Sequence, residues 1–460
     1  MRLFRTLSFA MATPFVSGTK TVLIMGGSYG GIAAAKFLSK ELPEGYRVVL
    51  LERNSHANHL YVLPRFSVLG SHEYKAYLYV LPRFSVLGSH EYKAFIPYNH
   101  LFGPTPGIHK VVHGTATKLE RNQVVYTPAS YASTSTNPET IEFDYLIYAL
   151  GAKLPGPIDF WGAKSVYDQK VNLEAEKAQI GFNGTKPASI ELLQRAQKRL
   201  KEVKSVLVVG GGALGIQFAT DLKDLYGNKN ITLLHSRVQL LPRFPEKMHD
   251  EINATMRKLN INLILGQRLD LKSTLPENAE YDERGRRVVK TEQGKRICAD
   301  LVLLCTGQVP NTALMRDLAP HTIDEKTGIV KVLRTMQVDL ADPQFINQAS
   351  EGQSKRASDL PHIYAIGDAA DAFGAIKAGH TAHWQAEVAA KNILATIRSE
   401  PLTSYEPGPP AIKITLGLRH RATVMGPEQT LTVGDDGKDD LDAPGMWPYV
   451  GADFEKDQDL

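Results

Sequence analysis

Two stretches of this 460-residue chain hold glycines at a spacing suited to gripping phosphate. The first is Gly-Gly-Ser-Tyr-Gly-Gly at 26–31. Gly26 permits a tight turn. The short side chain of Ser28 stands where a second glycine would let a pyrophosphate approach. Gly31 allows a helix to pack closely on the preceding strand. An acid, Glu52, follows 26 residues after Gly26, near where a carboxylate binds a ribose hydroxyl. The second stretch carries the complete fingerprint, with Gly210, Gly212 and Gly215. Here the acid is missing: the corresponding segment reads His235, Ser236, Arg237. A carboxylate at that place selects the 2′-hydroxyl of NADH. A hydroxyl and a guanidinium suit a 2′-phosphate, so Arg237 favours NADPH while NADH stays open.

Further along, Tyr-Ala-Ile-Gly-Asp at 364–368 delivers Asp368 at a strand end, where its carboxylate can accept hydrogen bonds from ribityl hydroxyls and orient a flavin. A helix over 375–397 would aim its positive end at the flavin, stabilising the negative charge gained on reduction. Lys377 falls in its first turn, against the dipole preference, and is the candidate catalytic residue. His380 and His383 read as packed or solvated side chains. No cluster has metal-ligand spacing. Cys298 and Cys305 are the only cysteines and lie seven apart, which excludes a CxxC redox pair and leaves both as core residues.

These residues need parallel strands to present them. Apolar runs at 21–25 and 47–51 flank the first glycine turn, and runs at 205–209 and 231–234 flank the second. The segments 143–151 and 299–307 share one form: an acid, an apolar strand, then a short link to glycine. Each fits a crossover between two halves. The fold class is therefore α/β, with two Rossmann-like dinucleotide-binding domains and a small C-terminal domain. The expected boundaries are an extension over 1–19, an FAD-binding domain over 20–153 and 308–398, an NAD(P)H-binding domain over 154–307, and a C-terminal region with an acidic tail over 399–460.

Composition agrees with a globular chain: 43% hydrophobic and 22% charged. No apolar run approaches the ~18 residues of a membrane span, so membrane contact is expected to be peripheral at most. From Gly426 onward, ten acids stand against two bases, which gives that tail −8 and leaves +12 of the net +4 to the rest. The tail is expected to be solvated and the basic body to bind nucleotide phosphates. No basic run with interleaved aromatics suggests specific nucleic-acid binding. A 17-residue segment is repeated without change at 60–76 and 78–94. Two identical copies do not make a repeat architecture, and one copy is expected to be structurally surplus. Residues 1–19 hold Arg2 and Arg5 and no acid. They read either as an upstream extension before Met11, leaving a cytoplasmic protein, or as a mitochondrial presequence. Neither methionine is followed by glycine, so the N-myristoylation pattern is absent.

The order of Gly-Gly-Ser-Tyr-Gly-Gly, Glu52, Leu-Pro-Arg-Phe-Ser-Val, Gly210 to Gly215, Cys-Thr-Gly-Gln-Val-Pro-Asn-Thr at 305–312 and Tyr-Ala-Ile-Gly-Asp resembles the apoptosis-inducing-factor-like flavoproteins, and within them the fungal AMID-like branch. The resemblance covers roughly residues 20–425. It implies FAD in the first half, held by Gly26, Ser28, Gly31, Glu52 and Asp368. It implies NADPH or NADH in the second half, held by Gly210, Gly212 and Gly215. An arginine and a lysine of the duplicated segment would line the flavin pocket, with Arg65 and Lys93 as the candidates; which copy does so is open. The implied activity is hydride transfer from NAD(P)H to FAD and onward transfer of electrons to a small-molecule acceptor such as a quinone. Two alternatives are a non-enzymatic role in DNA binding or signalling and a biosynthetic oxidoreductase acting on a small metabolite. The oligomeric state is not indicated.

Overall fold

The structure is a computed structural model and describes residues 18–59, 91–103, 107–133, 135, 137–153, 183–339, 360–435 and 442–460. The first strand, Lys20–Met25, is apolar from Val22 onward, and each of those side chains is buried. A strand with both faces covered belongs at the centre of a parallel sheet. It lies fifth of seven along the order Glu139–Glu142, Gln123–Pro128, Lys110–Leu119, Tyr46–Glu52, Lys20–Met25, Tyr145–Tyr148, Ile363–Ala365. The five strands from Lys110–Leu119 to Ile363–Ala365 pair in parallel, and the two at the other edge are antiparallel. Helices Tyr29–Glu41 and Gly379–Arg398 cross above this sheet. They approach so closely that a Cβ on Gly30 would lie 3.1 Å from the Ala382 carbonyl oxygen.

A second, four-stranded parallel sheet runs Asn262–Ile264, Asn230–Leu234, Ser205–Val209, Leu301–Leu304. Alternation along Ser205–Val209 splits its side chains between two cores. Val206 and Val208 pack with the faces of helices Ala213–Leu225 and Glu246–Lys258. Leu207 and Val209 pack with Val289 and Ile297 of a small antiparallel sheet. Each central strand is anchored at its start by the acid that sequence places before the crossover strand. Asp144 accepts from Thr21 N at 2.8 Å, and Asp300 accepts from Ser205 N at 2.7 Å.

The C-terminal region divides its contacts. The three-stranded sheet Ile412–Thr415, His420–Met425, Thr430–Asp435 buries Ile414, Leu416, Ala422 and Val424 in the second core. Residues 443–460 return to the first core, where Trp447 is fully buried. This corrects the expectation of a solvated acidic tail. Asp457 is buried, lies 3.5 Å from His100, and accepts from Asp453 N at 2.7 Å. Aromatic residues spaced among the acids supply the reason: Trp447, Tyr449 and Phe454 have apolar surface to bury.

The duplicated segment falls in sequence between two paired strands. His56–Asn58 pairs antiparallel with Phe95–Pro97, and His59 N donates to Ala94 O at 2.8 Å. Residues 59 and 94, at the two ends of the duplicated segment, are therefore held side by side. The copy at 60–76 lies outside the described residues; of the second copy, Glu91–Ala94 is described, as a short 3-10 turn.

Candidate functional site: two matched nucleotide turns

The two glycine turns are built alike. Gly26 has φ +102° and Gly210 φ +122°, values that favour glycine. A Cβ on Gly31 would lie 1.8 Å from Gly26 O, and one on Gly215 would lie 1.9 Å from Gly210 O. Both glycines are thus required by helix–strand packing. The first helical bonds are Ile32 N to Ser28 O (2.9 Å) and Ile216 N to Gly212 O (3.1 Å), so the N–H groups just before them have no intrahelical acceptor. Neither helix has an acid in its first turn, and neither cap residue makes a side-chain bond there. A Cβ on Gly212 would meet nothing within 4 Å, so open space lies before this turn. Such a terminus suits a phosphate.

The carboxyl ends of the strands gather the remaining candidates. Met25, Tyr148 and Ala365 are register partners, so Gly26, Gly151 and the Gly367–Ala369 turn with Asp368 all leave the sheet at one edge. Glu52 follows Leu51, the partner of Met25 on the other side. Its carboxylate accepts from Gly27 N at 2.7 Å, from Asn54 N at 3.0 Å and from Asn54 Nδ2 at 2.9 Å. A carboxylate offers about four acceptor directions, so capacity for a ribose hydroxyl remains. In the second half, His235 follows Leu234, the partner of Val209, and its Nδ1 accepts from Gly211 N at 3.1 Å. Ser236 is half-buried next to it. Arg237 is exposed and makes no ion pair among the described residues.

Asp368 and Lys377 are brought together. Lys377 Nζ donates to the Asp368 main-chain carbonyl, not to its carboxylate. Burial raises the Asp368 pKa, opposed by the Lys377 charge. Burial lowers that of Lys377, opposed by Asp368 and Asp371. The helix expected from 375 begins at Gly379, so Lys377 precedes it and is not in its first turn. Phe373 and Gly374, with φ +56° and +77°, turn the chain there, and Ile376 is drawn into the second core. Arg243 of the second half donates to Gly374 O at 2.5 Å. Residues 374–377 therefore touch both halves. The start of the helix abuts the first glycine turn, since a Cβ on Gly379 would lie 2.7 Å from the Tyr29 ring. The two crossover segments close the joint: Ala152–Lys153 pairs with Val309–Pro310, and Asn311 donates to Gly151 O and Leu150 O at 2.9 Å each.

Arg65 lies outside the described residues. Lys93 is buried beneath the C-terminal segment. Its ammonium lies 6.0 Å from the Phe454 ring centre, and its carbonyl accepts from Trp447 Nε1 at 3.1 Å. It does not line the cleft formed by Ser28, Tyr29, Ile32, Ala57, Asn58, His59, Ile96, Met446 and Val450. Sequence reasoning missed three contributors. Tyr98 donates to Gly27 O and fills the space beside that glycine. Tyr449 donates to Tyr29 O at 2.8 Å and bonds His383 Nδ1 at 3.0 Å. Lys36 donates to Tyr449 O at 2.7 Å. None carries a local signal, because each acts across a long sequence separation. Cys305 contributes its main chain: a Cβ on Gly210 would lie 2.2 Å from its carbonyl oxygen. Burial raises its thiol pKa, and both cysteines are free. Among the described residues no group of side chains could hold a metal ion, and no helix is long and apolar enough to cross a membrane.

Residues 20–386 match the pyridine nucleotide-disulphide oxidoreductase family. The chain belongs to this family. It is 38% identical over 442 residues to Fe-regulated protein 8 of Mycosarcoma maydis, covering 94% of this chain and 95% of that protein. It is 26% identical over 410 residues to ferroptosis suppressor protein 1 of Taeniopygia guttata, covering 87% of each. Its fold is similar to that of the sulfide:quinone oxidoreductase of Aquifex aeolicus, with a TM-score of 0.61, 14% identity, and coverage of 94% and 90%. As a pyridine nucleotide-disulphide oxidoreductase family member, the chain is an FAD-dependent NAD(P)H oxidoreductase with the apoptosis-inducing-factor-like character that its motifs suggested. The two turns fit that cofactor set: open space before Gly212, uncapped helix starts, and one acid with acceptor capacity left. With both cysteines free and seven residues apart, the family's disulphide has no counterpart here.

Proposed function

We propose that the protein oxidises NADPH and delivers the electrons to a small-molecule acceptor of the quinone class. The observation that carries this reading is the segment over residues 374–377, which joins the edges where the two nucleotide turns open. Bound FAD would supply the two-electron relay between donor and acceptor. The chain's own residues would position it. The N–H groups at the start of Tyr29–Glu41 would hold the pyrophosphate, with Gly26, Ser28 and Gly31 shaping the approach. Glu52 would accept from a ribose hydroxyl, and Asp368 from ribityl hydroxyls. Lys377, beside Asp368, would supply a positive charge to offset the negative charge gained on reduction. In the second half, Gly210, Gly212 and Gly215 shape the turn, and Arg237 would bind the 2′-phosphate. No side chain is required to remove a proton during hydride transfer. The quinone class is supported by the fold shared with an enzyme named for a quinone acceptor.

The test is spectroscopic. Purified protein should be yellow, and its ~450 nm flavin band should bleach anaerobically with NADPH faster than with NADH. A soluble ubiquinone analogue should restore the band faster than oxygen does. Equal bleaching by both nucleotides would remove the NADPH assignment. Reoxidation by oxygen alone would remove the quinone one.

A further inference from the structure

The segment that touches both halves begins on a strained residue. Phe373 has φ +56°, in the left-handed region that an aromatic side chain rarely occupies. Such a conformation persists only where its surroundings over-determine it, and it concentrates at functional sites. Two contacts hold it here. The guanidinium carbon of Arg334 lies 4.2 Å from the centre of the Phe373 ring, a cation–π stack. Arg243 Nη2 donates to the carbonyl of the next residue, Gly374, at 2.5 Å.

Strand pairing brings Arg334 to the ring. Val330–Lys331 pairs in parallel with Ala370–Asp371, so Arg334 and Phe373 lie three and two residues beyond register partners. The arginine is itself fixed. Its Nη1 donates to Tyr405 O at 3.1 Å and to Glu406 Oε2 at 2.8 Å, and Tyr405 N donates to Arg334 O at 2.7 Å. Tyr405 is buried in the first core. A planar guanidinium is thus held on a rigid base against the ring. The strain of a left-handed aromatic residue and the attraction of one cation–π contact are of the same order and opposite in sign. Removing the stack therefore frees the turn to relax.

Lys377 lies on the same segment. Its Nζ donates to the Asp368 main-chain carbonyl. Thr381 Oγ1 donates to Ile376 O at 2.6 Å and accepts from Ala378 N at 3.2 Å, which ties residues 376–378 to the helix Gly379–Arg398. Phe373 and Ala375 pack against the first core and Ile376 against the second. The backbone that carries the lysine is therefore held at both ends, and the strained end is the one that Arg334 clamps.

We propose that Arg334 is a positioning residue: by stacking on Phe373 it holds the strained turn that sets the Lys377 ammonium beside Asp368, and so raises the reduction potential of the bound flavin. This rests on the reading of Lys377 given above and adds to it a residue that acts through the lysine.

The experiment equilibrates the flavin-loaded protein with a dye of known potential, without nicotinamide nucleotide, and reads the midpoint potential of the flavin. Lys377→Met should disfavour reduction by about tenfold or more, which is about 30 mV for a two-electron couple. Arg334→Gln should disfavour it by about threefold to tenfold, or about 15–30 mV. In a Lys377→Met background, Arg334→Gln should shift the potential no further. An equal shift in both backgrounds would mean that the Arg334 charge acts on the flavin directly, and would overturn the proposal. So would an Arg334→Gln protein at the wild-type potential when Lys377→Met is shifted. A Lys377→Met protein at the wild-type potential would instead overturn the reading of Lys377 itself. If Arg334→Gln does not fold or hold flavin, Phe373→Leu decides. It keeps the Cβ, and with it the strain, but offers no ring to the guanidinium. It should reproduce the shift, and an unchanged potential refutes the role of the stack.

Discussion

Replacing Gly215 by alanine tests whether the two halves are separate nucleotide sites. A Cβ there would lie 1.9 Å from Gly210 O, where such atoms come no nearer than 3.0 Å, so the helix must retreat by about 1.1 Å. The obstacle is main chain, and no rotamer change relieves it. Backbone shifts of this kind cost ~1–3 kcal/mol. Intrinsic helix propensity works in the other direction, favouring alanine over glycine by ~1 kcal/mol, so any loss must come from the clash. The retreat moves the N–H groups before Ile216 away from the turn. Binding of NADPH should weaken by about tenfold to a hundredfold. The flavin turn belongs to another sheet and should be untouched. The assay records flavin content and then the NADPH concentration that half-bleaches the flavin band under anaerobic conditions. Gly215→Ala should be as yellow as wild type and should need far more NADPH. Gly31→Ala meets the same clash at 1.8 Å and should instead lose flavin. A Gly215→Ala protein that bleaches at wild-type NADPH concentrations would refute the reasoning, as would a Gly31→Ala protein that holds FAD normally.

Other outcomes follow from the same geometry. Deleting residues 61–78 keeps His59 and Ala94 at the two ends of a shorter excursion and should cost nothing: loop closure becomes easier by ~0.6 kcal/mol per halving of length, and flavin content should be equal or higher; a fall would show that the second copy has become structural. Trp447→Ala removes a fully buried side chain and its bond to Lys93 O, and should lower stability by ~3–5 kcal/mol, read as a lower Tm with loss of flavin; an unchanged melting curve counts against the docked C-terminal segment. Burial depresses His59 to a pKa of about 4 and His56 to about 3. Both are neutral when folded, whereas the unfolded chain takes up their protons as pH falls below about 6.5. Stability should therefore be full above that pH and fall towards pH 4, by on the order of 3 kcal/mol for His59. A His56→Gln, His59→Gln double variant with an unchanged pH profile of Tm would contradict this.

The parts legible in sequence were those set by local covalent geometry. A strand, a positive-φ glycine and a helix start must follow one another within a few residues, so the spacing of Gly26 to Gly31 and of Gly210 to Gly215 names the turn. Glu52 and His235 were legible because strand length fixes where the second strand ends. Lys377 was displaced by a four-residue shift of the helix boundary, from 375 to Gly379: Ala375 and Ile376 suit a helix, but the pull of the second core on Ile376 and the turn at Phe373 and Gly374 override propensity. The C-terminal segment was misread because its charges outnumber its aromatics, while burial follows the aromatics. Tyr98 and Tyr449 were out of reach, since no local pattern reports a hydroxyl that meets a glycine turn 71 or 420 residues away.

The threading of the first sheet has a consequence for how the protein is made. Tyr148 and Ala365 are register partners, yet the whole second sheet, from Ser205 to Leu304, lies between them in the chain. During synthesis the strands of that second sheet have all emerged while the first is still missing an edge strand, its covering helix Gly379–Arg398 and the segment at 443–460. Contacts of such long sequence separation form late. The second core waits as well, for Ile376 and for the strands Ile412–Thr415 and His420–Met425. A ribosome that stops before the C-terminal region would therefore release a chain in which neither nucleotide-binding half is closed, so the two halves are completed together at the end of synthesis.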